Sequence, residues 1–124
     1  MLLHEELTGE IRSAAIEVHR TLGPGLLERA YEECLCEELR QRRLAFQRQL
    51  PLAIGYKGKR LDCGFVVDLL VEDKVLLELK SVERVLPVHE AQLLTYLKLT
   101  GVRVGLLINF NTERLIDGIT RRVL

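Results

Sequence analysis

The chain has no tryptophan, only three cysteines, and no stretch long enough without a charge to cross a bilayer. Each shortage excludes something. Cys34, Cys36 and Cys63 are odd in number and lack a paired C-x-x-C spacing, and Cys34 and Cys36 point in different directions on an expected helix, so reduced thiols are the reading rather than disulfides or zinc. A membrane span needs roughly 18 to 20 uninterrupted apolar residues, and the opening MLLHEELTGE is too acidic for a secretory leader; the expectation is a soluble cytoplasmic protein without membrane contact. An excess of one charge is missing too. Lys plus Arg and Asp plus Glu stand at 18 each, so no global positive field marks a polyanion binder, and any such site must be local. Three Phe and three Tyr leave few platforms for stacked bases.

What the chain does have is apolar content: 48% of its 124 residues, enough for a hydrophobic core in one domain spanning 1–124. From His4 to Leu22 the positions Leu7, Ile11, Ala14, Ala15, Val18 and Leu22 recur at helical spacing, and GPG at 23–25 stops the helix. A second helix is expected from about Leu26 to Arg43, with Leu27, Ala30, Tyr31, Cys34, Leu35 and Leu39 on one stripe and basic residues at its C-terminal end. FQRQLPLAIGY (46–56) and RLDCGFVVDLLV (60–71) flank KGK as a hairpin, the first an edge strand because Pro51 cannot donate to a ladder. VLLELKSV (75–82) continues an antiparallel meander. VHEAQLLTYLKLT (88–100) reads as a helix entered from Pro87 and closed by Gly101, followed by a parallel strand over 102–110 and a short final strand.

Within DLLVEDKVLLELK (68–80), three charges fall among Val and Leu. Alternation along a strand puts Glu78 and Lys80 on one face, and a tight turn can bring Asp68 beside Glu78. Burying such charges costs several kcal/mol unless they are paired or bind a cation, so the segment is either a metal site or a structural ion pair. Two carboxylates are oxygen ligands suited to Mg²⁺, and a neighbouring ammonium can orient a water. The similar Glu72-Asp73-Lys74 lies in a polar turn and needs no function. His89, Gln92 and Tyr96 share a face of the third helix; Glu28 and Tyr31 are neighbours on the second.

GLLERAY at 25–31, through Gly25, Glu28 and Tyr31, resembles the pattern of the GxxExxY protein family. Asp68, Glu78-Leu79-Lys80 and Gln92-x-x-x-Tyr96 in that order resemble the PD-(D/E)XK nuclease superfamily, in which that family is placed; Val67 stands where the superfamily's name has Pro. The resemblance implies an α/β fold with a mixed sheet and a restriction-endonuclease-like core in α-β-β-β-α-β order, with an extra N-terminal helix. It implies Mg²⁺- or Mn²⁺-dependent phosphodiester hydrolysis of DNA or RNA, and the alternative is a nuclease-fold binding or scaffold module without turnover. Implied metal ligands are Asp68, Glu78, the carbonyl of Leu79 and the early-helix acid Glu28. Lys80 would position the attacking water, with Gln92 and Tyr96 holding Lys80 or a phosphate. Arg40, Arg42, Arg43 and Arg48, and separately Lys57, Lys59 and Arg60, are candidate contacts to the nucleic-acid backbone, and a homodimer or protein partner is one way for so small a domain to enclose a duplex.

Overall fold

The computed structural model describes residues 2–124. Two helices come first, α1 (Glu5–Leu22) and α2 (Glu28–Gln41), followed by β1 (Phe46–Tyr56), β2 (Lys59–Val71), β3 (Val75–Lys80), α3 (Pro87–Thr100), β4 (Val104–Asn109), a short 3-10 turn (Leu115–Gly118) and β5 (Ile119–Val123). The strands form one five-stranded sheet in the order β1-β2-β3-β4-β5. All neighbours are antiparallel except β3 and β4, which α3 connects in parallel. This is the mixed α/β architecture expected of a restriction-endonuclease-like core, with α1 in front and the 3-10 turn and β5 behind. No helix among the described residues is long and apolar enough to cross a membrane.

The hairpins follow from turn chemistry. Lys57 and Gly58 take φ of 49° and 77°, the paired left-handed conformations that match the twist of a two-residue hairpin loop, and Glu72 and Asp73 take 53° and 55° in the three-residue loop 72–74 between β2 and β3. β1 is the edge strand, with Pro51 opposite Val66. β3 ends at Lys80 rather than running on to Val82, because the Asn109 side chain binds both main-chain groups of Val82, accepting from its N–H (3.1 Å) and donating to its carbonyl (2.9 Å).

Alternation divides the apolar residues between two layers. Leu69, Val71, Val75, Leu77 and Leu79 pack under α1 and α2 with Ile11, Ala15, Tyr31 and Leu35. Leu70, Leu76 and Leu107 face α3 through Leu93 and Leu97. On α2 the stripe differs from the expected one: Leu27 is 82% exposed and Cys34 is exposed, while Tyr31, Glu32, Leu35, Cys36 and Leu39 form the buried face. The helix is turned so that Glu32 meets two donors from β1, and an acid with partners can take a position that apolarity alone would assign to Cys34.

Candidate active site

Asp68 sits where two ladders fail together. The β2–β3 pairing runs from Val71↔Val75 only to Leu69↔Leu77, and the β1–β2 pairing passes from Arg48↔Leu69 to Leu50↔Val67 without joining Gln49 to Asp68. Gln49 has φ of 52°, a left-handed conformation that is uncommon inside a strand and breaks its hydrogen-bonding pattern. The opened gap is closed by side chains instead of backbone. Leu79 N–H donates to Asp68 Oδ2 at 2.8 Å, and Asp68 N–H donates to Glu78 Oε1 at 3.3 Å. Two carboxylates have thus replaced the next rungs of the ladder, and they meet in the cleft between β2 and β3.

That meeting disturbs both acids. Glu78 is 6% exposed, and burial, followed by the charge of Asp68, pushes its pKa from 4.5 up to about 8; Lys80 only partly opposes this. Burial likewise raises Asp68, with the Glu32 and Glu28 carboxylates adding to the shift and the Leu79 N–H working against it. At neutral pH the pair therefore holds a proton between two carboxyl groups that cannot both ionise cheaply. On the α3 side burial raises the Tyr96 hydroxyl, and the Glu78 and Asp68 charges add to it. Gln92 Nε2 donates to Tyr96 Oη at 2.9 Å, while the Tyr96 ring meets Phe65 edge-on.

Asp68 opens into a concave pocket of about 380 Å³ whose other walls are Glu28, Arg29, Glu32, Arg48 and Gln49. Glu78 and Lys80 lie outside this lining; Lys80 is half-buried and forms no ion pair among the described residues. A wider concavity of about 670 Å³ lies by the start of α1, lined by acids including Glu5, Glu6 and Glu10 with Arg42 and Lys74. Burial of charge, rather than size, distinguishes the smaller one: the buried acid Glu32 lines it, and Asp68 connects it to the buried Glu78 behind.

Glu28 reaches this pocket because the loop before α2 is fixed. Tyr31 Oη donates to the Gly23 carbonyl at 2.6 Å and accepts from Leu26 N–H at 3.1 Å, and its ring stacks on Phe110 at 4.4 Å and 8°. Gly25 takes φ of 94°, which a residue with a side chain adopts only with strain. Ser81, just past Lys80, donates to the Leu26 carbonyl and joins the loop to the end of β3. The Gly-x-x-Glu-x-x-Tyr spacing is thus a local device: glycine makes the bend, tyrosine locks it, and glutamate is presented on the first turn of the helix. Tyr31→Phe, which keeps the stack and removes both hydrogen bonds, is expected to lower unfolding stability by about 1 to 3 kcal/mol. Urea denaturation checks this; an unchanged midpoint would show that the loop does not depend on the hydroxyl.

Sequence patterning missed Glu32 and Gln49 and misread Arg48. Glu32 accepts from Arg48 Nε at 2.6 Å and from Gln49 Nε2 at 2.7 Å, and Gln49 Nε2 also approaches Asp68 Oδ1 at 3.4 Å. Adjacent residues of a regular strand point to opposite faces, so only the left-handed turn at Gln49 lets both reach one carboxylate. The expected group of backbone-binding arginines is largely neutralised: Arg48 is held by Glu32 and Glu33, Arg42 by Glu38 and Glu10, and Arg40 by Glu37. His89 accepts from Leu86 N–H through Nδ1 at 3.0 Å and serves as a cap of α3. The expected metal set is only partly gathered, since no group of three or more His, Cys, Asp or Glu able to hold an ion occurs among the described residues. Asp68 and Glu78 meet, with Glu28 on the pocket wall.

Compared with known proteins, residues 5–123 match the family model of the PD-(D/E)XK nuclease superfamily. No curated protein and no solved structure matches the chain.

Proposed function

Because this chain belongs to the PD-(D/E)XK nuclease superfamily, we propose that it is a divalent-metal-dependent nuclease whose centre is the cleft shared by Asp68 and Glu78. The observation that carries the reading is the buried pair itself. Two carboxyls forced to share a proton form a poor structural ion pair, but they offer oxygen ligands to a hard cation, whose charge would satisfy both. Asp68, Glu78 and the Leu79 carbonyl would hold Mg²⁺ or Mn²⁺. The Lys80 carbonyl accepts from the N–H of Phe110, just past β4, so alternation turns the Leu79 carbonyl toward β2 and the cleft. When bound, the ion polarises the phosphoryl oxygen and makes a bound water more acidic.

The remaining residues act on substrate and protons. Glu78 Oε must release its proton for the centre to load. Lys80, two residues on and on the same face as Glu78, would hold the attacking water and offset negative charge developing on phosphorus. Glu28, on the pocket wall, would serve as a further acid, and Gln92 and Tyr96 would orient the Glu78 side of the cleft or a phosphate oxygen. The overall reaction is hydrolysis of a phosphodiester: water oxygen bonds to phosphorus as the bond to the leaving sugar oxygen breaks.

Calorimetric titration with Mn²⁺ is expected to give saturable binding for the wild type and none for Asp68→Ala. At neutral pH the heat should vary with buffer in the way that reports release of about one proton, the one Glu78 gives up. Saturable binding unaffected by Asp68→Ala would remove the assignment. Absence of any heat in the wild type would favour a nuclease-fold module without turnover, in which the two carboxyls remain a hydrogen-bonded structural pair.

A further inference from the structure

The β1–β2 hairpin outgrows the sheet. β3 pairs with β2 only at Leu69–Val71, whereas β1 and β2 stay paired out to Tyr56↔Lys59, so their outer part is a free two-stranded ribbon. A bulge separates it from the body: pairing steps from Leu52↔Phe65 to Ala53↔Asp62, leaving Cys63 and Gly64 without partners. Such bulges bend a strand pair and increase its twist. Beyond the bulge Lys59 to Gly64 are all exposed, and Tyr56 is 58% exposed with Lys57 Nζ over its ring.

Cations cluster at the tip of this ribbon. Lys57, Lys59 and Arg60 form no ion pair among the described residues, in contrast to Arg40, Arg42 and Arg48. Lys98 from α3 joins Lys59 and Arg60 in a groove of about 510 Å³ that no acidic residue lines. In a chain with formal net charge +0, concentration of free cations on one protruding element is a local polyanion footprint. The polyanion can be specified further. A two-stranded ribbon fits the major groove of B-form DNA, which is about 12 Å wide, whereas the A-form major groove of duplex RNA is too deep and narrow for it. Lys59, beside the hairpin turn, and Asp68 are nine residues apart along β2, roughly 30 Å of strand, so tip and cleft fall within about one turn of the same duplex.

We propose that the outer β1–β2 ribbon is a duplex-DNA-binding arm that lies in the major groove, with Lys57, Lys59, Arg60 and Lys98 on the flanking phosphates. It rests on the nuclease reading for its substrate, and it names that substrate as double-stranded DNA. The test is fluorescence anisotropy of the full chain in EDTA with a short DNA duplex, the same sequence as duplex RNA, and the single strand, over a series of salt concentrations. The wild type should prefer duplex DNA. Replacing Lys57, Lys59 and Arg60 together by alanine should weaken that binding about tenfold or more and lower the slope of log affinity against log salt by about 3. Lys98→Glu, on a different element, should weaken it as well, and both variants should melt with the wild type. Equal binding by the triple variant, or duplex RNA bound as tightly as DNA, overturns the arm. The two readings fail separately. DNA hydrolysis at the wild-type rate by the triple variant sinks the arm and spares the nuclease; tight duplex binding without hydrolysis in Mg²⁺ or Mn²⁺ sinks the nuclease and spares the arm.

Discussion

Lys80→Ala is expected to reduce hydrolysis by about a thousandfold while leaving Mn²⁺ titration close to that of the wild type. The separation follows from where the amine stands. Lys80 shares a strand face with Glu78, and its charge lowers the Glu78 pKa, yet it forms no ion pair with either acid. Its removal takes no oxygen from the cation and strands no buried partner. What is lost is a positive charge and a donor on the reaction path, which appears in turnover rather than in loading. Asp68→Ala removes the ligand itself and should lose both. If Lys80→Ala cleaves at the wild-type rate, the activity comes from a contaminant or from another site.

The second large effect is on stability and requires no substrate. In the folded chain Glu78 keeps its proton up to about pH 8, whereas its ordinary value is 4.5. Between those limits the folded state binds a proton that the unfolded state has released. Stability in EDTA is therefore greatest below about pH 4.5 as far as Glu78 is concerned, falls as pH rises, and has lost this contribution above pH 8. The span is worth roughly 5 kcal/mol at about 1.4 kcal/mol per unit. Glu78→Gln mimics the protonated acid and cannot ionise. In EDTA at pH 9 it should be more stable than the wild type by that amount, on the order of 20 °C in Tm, and within about 1 kcal/mol of it at pH 5. Mg²⁺ should then stabilise the wild type more than the variant, because only a ligand of the folded state shifts the equilibrium. A variant less stable than the wild type at both pH values would mean that Glu78 is a charged structural partner, and the metal reading would fall with it.

Much of this architecture was legible because periodicity and turn chemistry are local. The α1 stripe, the Lys57-Gly58 hairpin, the edge position of β1 and the shared face of Glu78 and Lys80 all follow from residues within a few positions of one another. The environment of the acids was not legible, because it depends on pairings that do not form. Nothing in RQLPL announces that Gln49 turns left-handed, or that Arg48 and Gln49 converge on Glu32 sixteen and seventeen residues away. Leu27 and Cys34 looked buried by spacing, but the Glu32 contacts decided the rotation of α2. Long-range pairing also withdraws Arg48 from the basic patch it read as part of, while Arg40 and Arg42 are met by acids one turn away on α2.

The parallel pairing of β3 with β4 also sets an order of events during synthesis. β3 carries Glu78 and Lys80, yet one edge of it stays open until Val104–Asn109 has emerged and α3 has folded back across the sheet. The meander β1-β2-β3 can form from neighbouring segments, whereas this last pairing must close a long loop first, the kind of contact that forms slowly. Until then a strand of Val and Leu bearing two charges is available to any other strand edge nearby. The burial of Glu78 is thus among the later features of the chain to mature, and a nascent chain halted within α3 would hold Asp68 and Glu78 side by side on a strand still open along the edge that β4 covers.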